Sequence, residues 1–224
     1  MPEQAVRLAI VGAESTGKTS LAAALAPRLA QDSGLRVTWV PEVLREWCHH
    51  MGRTPRVHEQ PALVRAQHER IEAAAATHDV VICDTTALLT AVYSRMVFAD
   101  RSLDERAVAL HRRMSLTLLM GLDLPWVADG IQRDGPHVRE PVDGLLRELL
   151  TAHRLPWSLV AGQGAARVVA AVDAVAPLLR PLAGQRGGLF TRLAVRNAEA
   201  AARRWRCENC DDPACEHRLQ QPRY

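Results

Sequence analysis

Gly12-Ala13-Glu14-Ser15-Thr16-Gly17-Lys18-Thr19 decides how this 224-residue chain is read. It fits the pattern G-x-x-x-x-G-K-[ST] at every fixed position. A short apolar run, Arg7–Val11, precedes it, and a helix-forming stretch starting at Lys18 follows it. Glycines at the two ends let backbone N–H groups turn inward around phosphate oxygens, and the helix N-terminus adds a partial positive charge. In such a loop the lysine ammonium reaches the β- and γ-phosphates, and the hydroxyl after it ligates Mg²⁺. Gly12, Glu14, Ser15, Thr16, Gly17, Lys18, Thr19 and Ser20 are therefore the expected ATP·Mg²⁺ cradle.

Composition supports this reading. Of 28 basic residues, 27 are arginine and only Lys18 is lysine. A lone lysine kept against that bias marks a place where a compact ammonium is needed and a planar guanidinium does not substitute.

Outward from the loop, apolar runs alternate with helical stretches. Strands are predicted at Arg7–Val11, Leu35–Val40, Asp79–Cys83, Ser115–Met120 and Trp157–Ala161. Helices are predicted at Lys18–Gln31, Glu42–Met51, Glu59–Thr77, Thr86–Phe98, Leu103–Met114, Val142–His153 and Gly164–Leu179. Alternation of this kind specifies an α/β domain: a five-stranded parallel sheet with helices on both faces. The expected organisation is a nucleotide-binding domain over residues 1–180, a glycine-rich linker over 181–188, and a small helical, metal-binding tail over 189–224.

Three further segments carry chemistry. Val80-Val-Ile-Cys-Asp84 ends a strand on a carboxylate, at the sheet edge where ligands collect. Asp84 there serves Mg²⁺, takes a proton from an attacking hydroxyl, or caps the helix beginning at Thr86. Glu42, Arg45 and Trp47 follow the second strand; they read equally well as an acceptor-binding set or as a solvated first helical turn. The stretch Asp129–Glu140 carries Arg133 and Arg139 on a Gly/Pro-containing connection, which suits a lid over a triphosphate or a plain surface loop.

The phosphate loop, the Pro41-Glu42 region with Arg45 and Trp47, the Cys83-Asp84-Thr85 strand end and the block Pro125-Trp-Val-Ala-Asp-Gly-Ile-Gln-Arg133 together resemble the NadR-type P-loop kinase domain. That domain phosphorylates nicotinamide riboside with ATP. The resemblance spans roughly residues 5–180 and implies a P-loop NTPase/kinase fold. It implies Lys18 and Thr19 as ATP·Mg²⁺ contacts and Asp84 as the carboxylate near metal or acceptor hydroxyl. Glu42, Arg45 and Gln67 fall on the acceptor side and Arg133 on the lid. The implied acceptor is a small nucleoside-like molecule, which would place the protein in NAD metabolism. The alternative is an ATP-hydrolysing switch that docks a protein partner through its tail.

The tail pattern Cys207-x₂-Cys210-x₄-Cys215-x-His217 supplies four ligands, the number a closed structural Zn²⁺ site takes. Flanking acidic residues cancel its arginines, and net charge is only +3, so nucleic acid is not the expected partner. Five unevenly spaced cysteines suit a reducing cytoplasm, and no apolar run is long enough to span a membrane.

Lys18→Ala is expected to leave a folded protein whose ATP turnover is at least a hundredfold lower, because one transition-state cation contributes about 3 kcal/mol. Near-normal turnover by the folded variant, measured as ADP release, contradicts the motif's role.

Overall fold

The computed structural model describes residues 5–128 and 135–183. Five strands, β1 (Val6–Val11), β2 (Val37–Val40), β3 (Val80–Asp84), β4 (Leu116–Met120) and β5 (Trp157–Val160), form one sheet in the order β2-β3-β1-β4-β5. Every pairing is parallel. The helices are α1 (Lys18–Ser33), α2 (Val43–Met51), α3 (Gln60–Ala75), α4 (Ala87–Phe98), α5 (Asp104–His111), α6 (Arg139–Ala152) and α7 (Ala165–Ala183).

β1 sits in the middle of the sheet and reads Val-Arg-Leu-Ala-Ile-Val because both its faces are covered. Leu8 and Ile10 pack on one side with Leu21, Leu25 and Leu29 of α1 and with Val172, Val175 and Leu179 of α7. Ala9 and Val11 pack on the other with Leu88 and Val92 of α4 and with Val142, Leu146 and Leu150 of α6. A period of two in the strand is thus satisfied by one helix layer on each face. A third, smaller cluster of Val64, Ala87, Ala91, Leu103 and Ala107 joins α3, α4 and α5.

The five expected strands and seven expected helices are all present, with shifted ends. Residues 139 and 140, read from sequence as loop, form the first turn of α6, entered through a 3₁₀ turn at Pro136–Val138. Pro141 lies within that first turn, where the missing N–H has no helical partner to lose. A second 3₁₀ turn, Val57–Glu59, leads into α3. Among the described residues no helix is long and apolar enough to cross a membrane. Residues 181–183, expected to begin the 181–188 linker, instead continue α7. Arg133, the rest of that linker, the tail and its proposed Zn²⁺ ligands Cys207, Cys210, Cys215 and His217 lie outside the described residues.

His111, at the end of α5, is buried at 1% exposure and ties two elements together. Its Nδ1 pairs with Thr86 Oγ1 at 2.9 Å and its Nε2 with Thr117 Oγ1 on β4 at 2.7 Å. Burial pushes its pKa down from 6.5 to about 4. Between those values the unfolded chain binds the proton and the folded chain does not. This contribution is fully present above pH 6.5 and is lost as pH falls toward 4, by up to about 3 kcal/mol. Denaturant titrations of the wild type and His111→Gln should show this extra acid sensitivity only in the wild type. Parallel curves for the two proteins contradict the assignment.

Candidate active site

Parallel register brings the chemistry to one edge. Ile10 of β1 pairs with Asp84 of β3, and Val40 of β2 pairs with Cys83. The phosphate loop after β1, the carboxylate ending β3 and the Pro41-Glu42 turn after β2 therefore emerge side by side, at the carboxyl ends of the strands.

The loop is held in a shape few residues tolerate. A Cβ on Gly12 would lie 2.8 Å from Met120 Cβ, so only glycine lets the loop pass β4. Gly17 caps α1 at φ 78, in the left-handed region. Thr16 is fully buried, and its hydroxyl donates to Ala13 O at 2.8 Å, bracing the loop from inside. Lys18 Nζ donates to Gly12 O at 3.0 Å and to Ala13 O at 2.9 Å. Ser20 is exposed on the first turn of α1.

Two loop residues expected to touch nucleotide are engaged with the connection after β4. Glu14, buried at 6% exposure, accepts from the Trp126 indole N–H at 3.2 Å and from the Gly135 N–H at 3.4 Å. Ser15, at φ 55, donates from its hydroxyl to Val127 O at 2.9 Å and accepts from Val127 N–H at 3.0 Å. The two stems of that connection are thereby fixed to the phosphate loop.

Asp84 is 1% exposed. Its Oδ2 accepts from Thr19 Oγ1 at 2.5 Å, while its Oδ1 is buried with no hydrogen-bond partner. Burial pushes its pKa up, against the Thr19 hydrogen bond and the charges of Lys18 and Arg45. The chain turns sharply just after it: Thr85 sits at φ 69 and donates its N–H to Ile10 O at 3.1 Å. A β-branched residue held in that region marks stored strain at the sheet edge. A helix cap is not what Asp84 provides, since Thr86 is the N-cap of α4. An orphaned carboxylate oxygen beside the hydroxyl that follows Lys18 has the hard-oxygen chemistry Mg²⁺ takes.

Glu42 is the N-cap of α2, and its side chain is 11% exposed. Burial pushes its pKa up; Lys18 pulls it back and Asp84 raises it further. Arg45 approaches it at 3.5 Å. Both residues line a cavity of about 410 Å³ that opens from the phosphate loop. Beyond the loop and α2, it is lined by Thr54, Pro55 and Gln60 and by Leu89, Thr90, Tyr93, Val97 and Phe98 of α4. Val97 and Phe98 stay 56% and 36% exposed, an apolar rim that the folded core does not require.

Three expected site residues act elsewhere. Gln67 spends its carboxamide on the turn carrying Glu42: Oε1 accepts from Val43 N–H at 2.8 Å, and Nε2 donates to Pro41 O at 3.3 Å. It positions Glu42 and does not line the cavity. Trp47 turns its ring to Arg53, whose guanidinium carbon stands 4.9 Å from the ring centroid. Arg139 is 9% exposed in the first turn of α6 and donates to Leu122 O at 3.2 Å.

Sequence reading passed over Arg167. Placed at the start of α7, 4% exposed, it donates to Thr16 O at 2.5 Å, to Gly162 O at 2.7 Å and to Asp123 at 2.5 Å. One guanidinium thus joins the phosphate loop to the ends of β4 and β5. It also missed the stripe Leu89, Tyr93 and Val97, whose four-residue spacing looks the same for a core face as for a pocket wall. Among the described residues no group of three or more His, Cys, Asp or Glu side chains could hold a metal ion.

The family model described as an AAA domain matches residues 7–167, and the chain belongs to that family. No curated protein matches it. Among solved structures, a NadR protein in complex with NR superposes with a TM-score of 0.62 at 21% identity, over 77% of this chain and 51% of that one. NadR in complex with NAD and AMP-PNP gives 0.60 at 19% identity, over 77% and 49%. The chain thus spans about half the length of these NadR chains. Thymidylate kinase from Ehrlichia chaffeensis gives 0.55 at 15% identity, covering 79% of this chain and all 100% of its own. These likenesses show a shared P-loop kinase fold.

Arg167→Met removes a buried cation from three acceptors and leaves Asp123 short of its partner. The expected cost is about 2–4 kcal/mol, a drop of roughly 5–10 °C in Tm, with weaker ATP binding. A Tm within 1–2 °C of the wild type, read by calorimetry, contradicts the bracing role.

Proposed function

We propose that this member of the AAA domain family is an ATP-dependent small-molecule kinase that phosphorylates a hydroxyl of a nucleoside-like acceptor. Nicotinamide riboside is the first acceptor to test. The observation that supports the reading is the cavity itself: Glu42 lines it together with the phosphate loop, and α4 adds the apolar and aromatic side chains Leu89, Tyr93, Val97 and Phe98. A water-activating switch would need no such ring-sized chamber. The NadR and thymidylate kinase structures that share the fold support it by analogy.

In this mechanism the loop N–H groups and Lys18 bind the triphosphate and stabilise charge spreading onto the transferring phosphoryl group. Thr19 and Asp84 would hold Mg²⁺, which would supply charge neutralisation to the phosphates. Glu42 accepts the proton as the acceptor hydroxyl oxygen forms its bond to the γ-phosphorus, and ADP departs with the electrons of the broken P–O bond. Burial raises the basicity of Glu42 toward that task, and the Lys18 charge offsets part of that rise. Gln67 fixes the turn that aims it. Leu89, Tyr93 and Val97 offer a wall against which a flat ring packs out of water.

Glu42→Gln should reduce acceptor-dependent turnover at least a hundredfold, about 3 kcal/mol, with ATP affinity nearly unchanged. Turnover with nicotinamide riboside and a panel of nucleosides measures it. Undiminished transfer by Glu42→Gln, or loss of ATP binding alone, contradicts the assignment.

A further inference from the structure

Gln60, the first residue of α3, is 5% exposed and lines the cavity. Its side-chain Oε1 is fully buried and has no hydrogen-bond partner. A carboxamide shut away from water with its carbonyl unmatched costs free energy that an apolar side chain of the same shape would avoid. Such a group is retained where something other than the protein completes it. Leu89, Tyr93 and Val97 of α4 line the same cavity and offer apolar and aromatic surface to a ring. Thr54 and Pro55 line that cavity as well. A rotation of this side chain toward the cavity would let a molecule held there supply the missing donor.

We infer that Gln60 is a specificity-determining residue: its Oε1 accepts a hydrogen bond from an N–H on the edge of the acceptor's flat ring. The ligand class is a nucleoside whose ring carries an amide, amino or imide N–H. Analogues in which that hydrogen is replaced by a methyl group or a carboxylate oxygen are rejected. Discrimination follows from the buried oxygen, which an analogue without the donor leaves unpaired again. This inference rests on the acceptor reading above and extends it by naming a group that selects among rings.

The test uses the full chain and its Gln60→Met variant, which keeps length and volume and removes the polar atoms. Binding of two matched pairs is titrated by calorimetry: nicotinamide riboside against nicotinic acid riboside, and uridine against N3-methyluridine. Tm and phosphoryl transfer are recorded alongside. The wild type should bind the N–H-bearing member of at least one pair tenfold or more tightly than its partner. Gln60→Met should lose that preference while its Tm stays equal or rises, an outcome a purely structural glutamine does not give. Equal preferences in the two proteins overturn the inference. So does binding that tracks a sugar hydroxyl rather than the ring N–H, or failure of every N–H-bearing nucleoside to bind. If binding depends on Gln60 but no acceptor is phosphorylated, the kinase reading fails and the recognition stands. If transfer proceeds indifferently to Gln60, the kinase reading stands and the recognition fails.

Discussion

The hydrogen bond from Thr19 to Asp84, 2.5 Å long, is the contact on which the rest of the site depends. It joins the first turn of α1 to the end of β3 and so makes one unit of the phosphate loop and the sheet edge. The bond exists because β1 and β3 are parallel neighbours with Ile10 opposite Asp84. A register slip of one residue would point the carboxylate into the opposite helix layer. The strain at Thr85 and the close passage of Gly12 over Met120 are tolerated because this contact and the core on both faces over-determine the local geometry.

Around that contact the charges are arranged for work rather than for stability. Two buried carboxylates, Asp84 and Glu42, face one ammonium, Lys18, and one guanidinium, Arg45, and burial raises the pKa of both acids. Asp84 keeps an oxygen without a partner, and Arg45 keeps its Nε so. Groups left in this state destabilise a fold and mark sites where a charged ligand is expected. The supporting residues show the opposite character. Gln67, Arg167 and Glu14 spend their polar atoms on backbone and on neighbouring loops, where they fix the positions of the reacting groups.

Much of this was legible in the sequence because it is local. The glycine loop, the strand before it and the helix after it are encoded in consecutive residues, and the buried runs of a parallel sheet stand out as short apolar stretches. Asp84 and Glu42 were found because each ends such a run. What escaped depends on contacts between distant segments. Trp47 pairs with Arg53 instead of facing the cavity, and nothing in the spacing distinguishes the two. Gln67 was expected to line the acceptor pocket, yet it bonds Pro41 and Val43, more than twenty residues away, which no local pattern reveals. Arg139 falls in the stretch read as a lid or surface loop, yet it opens α6, and Pro141 in the first turn is no obstacle to that. Arg167 and Gln60 carry no local signal at all, being defined only by what surrounds them in the folded chain.

The central claim is that the γ-phosphoryl group leaves ATP for an organic hydroxyl and not for water. Following the fate of the phosphorus by ³¹P NMR, with ATP, Mg²⁺ and nicotinamide riboside or a related nucleoside, tests it most directly. The account predicts a new phosphomonoester resonance that grows in step with ADP and is absent without acceptor. Inorganic phosphate as the sole product, formed at the same rate with and without every acceptor, contradicts it.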